Sequence, residues 1–161
     1  MMATYVFVHG GNMSSDTWNR IAGRNDYPPG WRLGGRIWDG TAKFLREEGH
    51  RVYAPTLGDE HATTLTGHIE EIFRLVTRQD LRDVILVGHS YSGMVITGVA
   101  AMVPRRIRRL VYLDAAVPSP GQSLFDIIAS GGRDPLSFAG LEPALVPTPT
   151  TVAARSNVRV H

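Results

Sequence analysis

The chain has 161 residues, 43% of them hydrophobic and 20% charged, which suits one globular domain with a real core. Seventeen Lys and Arg against 15 Asp and Glu give a formal charge of +2, too mild an excess to argue for nucleic acid. Cysteine is absent, which excludes disulfides and thiolate metal sites and fits a cytoplasmic location.

Met1 to Tyr5 holds no basic stretch ahead of a long apolar core, so no signal peptide is expected. Tyr5–Val8 is a short apolar run that reads as a buried parallel strand, and it enters His9-Gly10-Gly11, a flexible turn with free backbone amides. Gly23 to Gly35, with Tyr27, Pro28, Pro29 and Trp31, reads as a long surface loop. Ile37 to Glu48 carries Ile37, Thr41, Phe44 and Leu45 at helical spacing and stops at Gly49. Arg51–Ala54 is the second strand. Leu65, Ile69, Ile72, Phe73 and Val76 mark the next helix.

Val84–Val87 is the third strand. It runs into Gly88-His89-Ser90-Tyr91-Ser92-Gly93 and then a helix from Met94 to Val103, apolar nearly all round and ended by Pro104. At far under about 20 residues, that helix is too short to span a bilayer. Arg105, Arg106, Arg108 and Arg109 read as a solvated turn before a fourth strand, Leu110–Leu113, which ends at Asp114. Strands alternating with helices predict an α/β fold with a parallel sheet, whose site lies beyond the strand C-termini. His9-Gly10-Gly11, Pro55-Thr56, Ser90 and Asp114 all fall there.

The stretch around Ser90 has the form of a strand–sharp turn–helix device that holds a serine hydroxyl out over a sheet. The positions two before and two after such a serine crowd together as the chain reverses, so both must be small. Here they are Gly88 and Ser92, and Ser92 departs from the usual glycine. The blander alternative is a tight turn with a chance serine. Two main-chain amides, Gly11 and Tyr91, are the expected donors to an oxyanion formed at Ser90. Asp59-Glu60-His61 lacks a recognised metal spacing, and no metal or other cofactor is expected.

Val6–Gly11, Gly49–Thr56, Val87–Met94 and Leu110–Ala115 together resemble the α/β-hydrolase superfamily, in the branch of small esterases akin to plant methyl esterases and hydroxynitrile lyases. Pro118–Phe125 resembles the start of that branch's cap. The resemblance implies an acyl-enzyme at Ser90, a small-molecule ester substrate, and a histidine base oriented by a carboxylate. It implies that the acid and the histidine both follow the cap, near the C-terminus. After residue 128 no strand pattern is found, and the later histidine is His161. His9, His50, His61, His68 and His89 all precede Ser90. His9 is expected to pack its loop, His89 to point away from the serine, and the other three to be surface or loop residues.

The expectation is therefore a core over residues 1–117, a cap start over 118–145 and an irregular tail over 146–161, with the C-terminal part of the fold incomplete. Asp114 is a possible acid, though a structural strand end is its plainer reading, and the general base is unknown. Such a chain should be weak or inactive, with a sheet edge open to self-association and no part for nucleic acid or membrane. The alternatives are a non-catalytic remnant that binds a small acyl ligand or a partner chain, or a hydroxynitrile lyase. The resemblance places a threonine after the first-loop histidine of the lyases, where this chain has Gly10.

Overall fold

The computed structural model describes residues 2–131. Four parallel strands, β1 (Thr4–Val8), β2 (Arg51–Tyr53), β3 (Val84–Ser90) and β4 (Ile107–Ala115), form one sheet in the order β2-β1-β3-β4. The chain leaves β1 in one direction to make β2, then returns to its other side to make β3. The strand order thus reverses between β1 and β3, where ligand crevices form in open parallel sheets.

The sheet is covered on both faces, and the two-residue period of its strands decides which side chain goes where. Val6, Val8, Val84 and Leu86 face α3 (Leu65–Arg78) and α4 (Ser92–Met102), meeting Ile69, Ile72 and Val76 from the first and Val95, Ile96 and Val99 from the second. Phe7, Val52 and Val87 face the other way and meet Trp38 and Ala42, at the start of α2 (Asp39–Glu47). Gly98 lets α3 and α4 close up, because a Cβ there would lie 2.4 Å from Ile69 Cδ1.

The predicted strands and helices are all present, with several differences. The helix predicted from Ile37 is a 3-10 turn over Gly34–Trp38 followed by α2. Its buried stripe is Trp38, Ala42 and, half-buried, Leu45, whereas Phe44 points outward and is 61% exposed. The fourth strand starts at Ile107, so Arg108 and Arg109 lie in β4 and not in a turn. Their side chains are exposed, which a half-covered strand tolerates. A short helix, α1 (Ser15–Ala22), occupies a segment with no predicted element. Ser14 caps it by accepting from Thr17 N, and Gly23 ends it at φ 65°. Beyond β4, α5 (Leu124–Ser130) opens with a capping box between Ser123 and Asp126.

The α3–β3 connection is tight. Asp80 and Asp83 both take left-handed backbone conformations (φ 43° and 52°), which Asp tolerates better than most residues. Between them Leu81 turns into the core, with its N–H donating to Val76 O. Arg106 holds the turn from outside by donating to Asp80 Oδ1 at 2.7 Å and to Leu81 O at 3.0 Å. The Arg106 hydrogen bond, with Arg82 nearby, holds the Asp80 carboxyl below its ordinary pKa.

Candidate active site

Ser90 is the last residue of β3 and lies in the left-handed region, at φ 55°. A non-glycine residue in that conformation costs about 1–3 kcal/mol unless its surroundings impose it. Here they do. The turn is gripped from both neighbouring strands. Gly88, two residues earlier, has no room for a side chain, since a Cβ would meet Ser92 O and Ile96 Cδ1 at 2.9 Å. On the β4 side, Ala116 N donates to Ser90 O at 3.0 Å, and a Cβ on Gly93 would lie 2.0 Å from Ala116 O. On the β1 side, a Cβ on Gly10 would lie 2.8 Å from Ser90 Cβ and 3.4 Å from Ser90 Oγ. The loop after β1 therefore rests directly against the serine. Ser90 itself is exposed, and no side chain among the described residues hydrogen-bonds its hydroxyl.

Gly11 follows in the same loop and is exposed, while Tyr91 caps the N-terminus of α4 in an ordinary helical conformation (φ −50°, ψ −36°). Neither residue's amide N–H is engaged in the turn and loop hydrogen bonds among the described residues. The α4 N-terminus adds its own positive dipole end to the same spot.

The described histidines have other occupations. His9 is buried, and its Nε2 accepts from Leu57 N at 2.9 Å. Its Nδ1 therefore carries the proton and donates to Gly10 O at 2.8 Å. Burial depresses its pKa, so the imidazole stays neutral and ties the β1 loop to the loop after β2. His50 accepts from Ala3 N at the opposite end of the sheet, and His61 is exposed. The His89 ring stands edge-on to Trp38 at 6.3 Å, on the α2 face.

His68 corrects a sequence expectation: it is buried on α3 and not a surface residue. Its Nε2 donates to Gly58 O at 3.0 Å, which leaves Nδ1 to accept from the Tyr91 hydroxyl at 3.0 Å. Gly58 N in turn donates to Glu71 Oε2 at 2.9 Å. Burial first, and then the Glu71 charge, pushes the Tyr91 phenol pKa up and keeps it a donor. The residue after Ser90 is thus anchored at its far end by α3 and the 54–64 loop. The hint in the sequence was the place of His68 one residue before Ile69, on the buried stripe of α3.

Asp114 ends up beside Ser90 along the sheet edge but in a different condition. His89 pairs with Leu113 and Ser90 with Ala115, so Asp114 is the extra residue of a bulge, at φ 45°. It is exposed, and its carboxylate has no hydrogen bond or ion pair among the described residues. Asp59, Glu60 and His61 do not gather around a point; Asp59 Oδ1 instead accepts from His61 N at 2.8 Å. No group of three or more His, Asp or Glu able to hold a metal occurs among the described residues.

The model of the alpha/beta hydrolase family matches the chain over residues 5–159. The chain belongs to the alpha/beta hydrolase family. A carbendazim hydrolyzing esterase from Nocardioides sp. strain SG-4G is 41% identical over 136 residues, covering 79% of this chain and 48% of that protein. A pyrethroid hydrolase from Sphingobium wenxiniae is 30% identical over 95 residues, covering 54% of this chain and 34% of that protein. Among solved structures, an extracellular alpha/beta-hydrolase from a Paenibacillus species matches with a TM-score of 0.60 and 32% identity, over 77% of this chain and 45% of that one. This alpha/beta hydrolase chain thus spans half or less of the length of the relatives it matches. The family, the parallel-sheet fold and the likeness to esterases expected from the sequence are borne out. No described helix is long and apolar enough to cross a membrane.

Proposed function

We propose that Ser90 is the nucleophile of a hydrolase acting on small carboxylic esters. One observation carries the reading: Ser90 is held left-handed and exposed at the end of a buried strand, with the Gly10 backbone pressed against it. Its Oγ attacks the ester carbonyl and a C–O bond forms, the proton passes to a base, and the carbonyl oxygen takes negative charge. The Gly11 and Tyr91 amides donate to that oxygen. Collapse expels the alcohol, which takes up the proton, and leaves an acyl-serine. Water then repeats the sequence and releases the acid.

In this reading the base comes from outside residues 2–131, because His9 and His68 have both ring nitrogens engaged and the other described histidines face elsewhere. Residues 2–131 by themselves should accordingly be weak, since loss of a triad member typically costs a factor of about 10⁴ or more. Asp114 is read as the bend of its bulge. Asp114→Asn should then change the rate by less than about threefold, whereas a triad acid would lose about 10⁴-fold.

The test is labelling with a fluorophosphonate probe, followed by mass mapping. Ser90 should be modified and Ser90→Ala should not. A folded protein whose Ser90 stays unlabelled ends the reading and favours a non-catalytic remnant. The lyase alternative is disfavoured at Gly10, where a threonine's Cβ would fall on Ser90. Cyanide release from mandelonitrile would restore it.

A further inference from the structure

Ser92 stands where the elbow ordinarily has glycine, and nothing in the proposed chemistry uses it. It is completely buried, at 0% exposure. Its Oγ accepts from His89 N at 2.7 Å. The single hydroxyl proton faces two carbonyls, Val8 O at 2.7 Å and His89 O at 2.8 Å. The last register pair between β1 and β3 is Val8 with Gly88. The hydroxyl therefore sits one step beyond the end of the ladder, between an N–H of β3 and a C=O of β1. It bridges the strands just where they must part, so that the β1 loop can turn toward Gly11 and β3 can turn into the elbow.

The two amides assigned to the oxyanion come from these two separate arms. Gly11 lies three residues beyond Val8, and Tyr91 two beyond His89. We propose that Ser92 is a positioning residue, whose hydroxyl sets the distance between the two halves of the oxyanion site. This rests on Ser90 being the nucleophile. A glycine at 92 would leave Val8 O and His89 N to find each other directly or through water, and the arms would settle at a different spacing. A misplacement of about 1 Å in such a site costs up to about 100-fold in rate, with little effect on ground-state binding.

The experiment compares the wild-type chain with Ser92→Gly and Ser92→Ala. It measures the rate of Ser90 labelling by a fluorophosphonate, kcat and KM for p-nitrophenyl acetate, and the thermal midpoint. The expected result is labelling and kcat slowed about 10- to 100-fold in both variants, with KM within about twofold of wild type. Labelling and kcat within twofold of wild type in a folded variant would overturn the proposal. So would a loss that appears in KM rather than in kcat. If one variant fails to fold, the other decides. If neither folds, the hydroxyl is needed for the fold and the positioning role is rejected. A wild-type chain unlabelled at Ser90 defeats the nucleophile reading, and this proposal with it. A labelled wild type with unaffected variants defeats this proposal alone.

Discussion

The β1–β3 pair and strand β4 belong to one sheet but live in different surroundings. Along β1 every residue but Tyr5 is buried, and β3 is buried or half-buried until Ser90. Along β4 no residue is fully buried, and Leu113 is 49% exposed. Each strand carries a left-handed residue at or near its end, Ser90 as the last of β3 and Asp114 as the last but one of β4. The serine is pressed between backbones on both sides, while the aspartate is a bulge open to solvent. The contrast teaches where a strained position can be kept: on the strand whose neighbours leave it no alternative.

The comparison breaks most severely at the glycines that close the grip. Gly93→Ala would drive a Cβ to 2.0 Å from a backbone oxygen, which nothing flexible can relieve. A loss of about 3 kcal/mol or more is expected in denaturant unfolding, at the upper end of overpacking costs. Next, the same truncation should weigh differently on the two strands. Leu86→Ala on β3 removes a fully buried side chain and should cost about 2–5 kcal/mol. Leu113→Ala on β4 should stay within about 0.5 kcal/mol. Equal costs would mean that β4 is covered in the folded protein.

A smaller effect concerns His9. Its folded pKa lies below the ordinary 6.5, so the unfolded chain binds the proton first. Stability should be unaffected by this group above that value and fall as pH drops below it, with a slope of at most about 1.4 kcal/mol per pH unit. Urea midpoints across that range, for wild type and His9→Gln, test the sign; an unchanged slope would refute it. The smallest is a gain. Ser90→Gly removes the cost of a left-handed serine and should stabilise the fold by about 1 kcal/mol while abolishing labelling. No gain in thermal midpoint would mean that the elbow is not strained.

The elbow was legible because its requirements are steric and local: small residues two either side of a serine, a strand before and a helix after. The first loop was legible for the same reason. What escaped the sequence was tertiary. Phe44 fits a helical stripe as well as Ala42 does, and only the position of Trp38 decides which side faces the sheet. The start of β4 was hidden because Arg108 and Arg109 have side chains that a fully covered strand would refuse. α1 has few apolar residues, and it buries Ser15 and Thr17 instead. His68 looked like a solvated histidine because its partners, Tyr91 and Gly58, are brought to it by two other elements.

The turn at Asp80 and Asp83 has a reach beyond its own five residues. By plugging Leu81 into the core it fixes the point at which β3 begins, and so the phase of every position after it. Val84, Leu86, Gly88 and Ser90 share one phase. One residue inserted into that turn would pass through the sheet as a change of parity, exchanging the two faces of the strand. The direction in which Ser90 points is thus decided at the opposite end of the sheet, by a turn built on two aspartates.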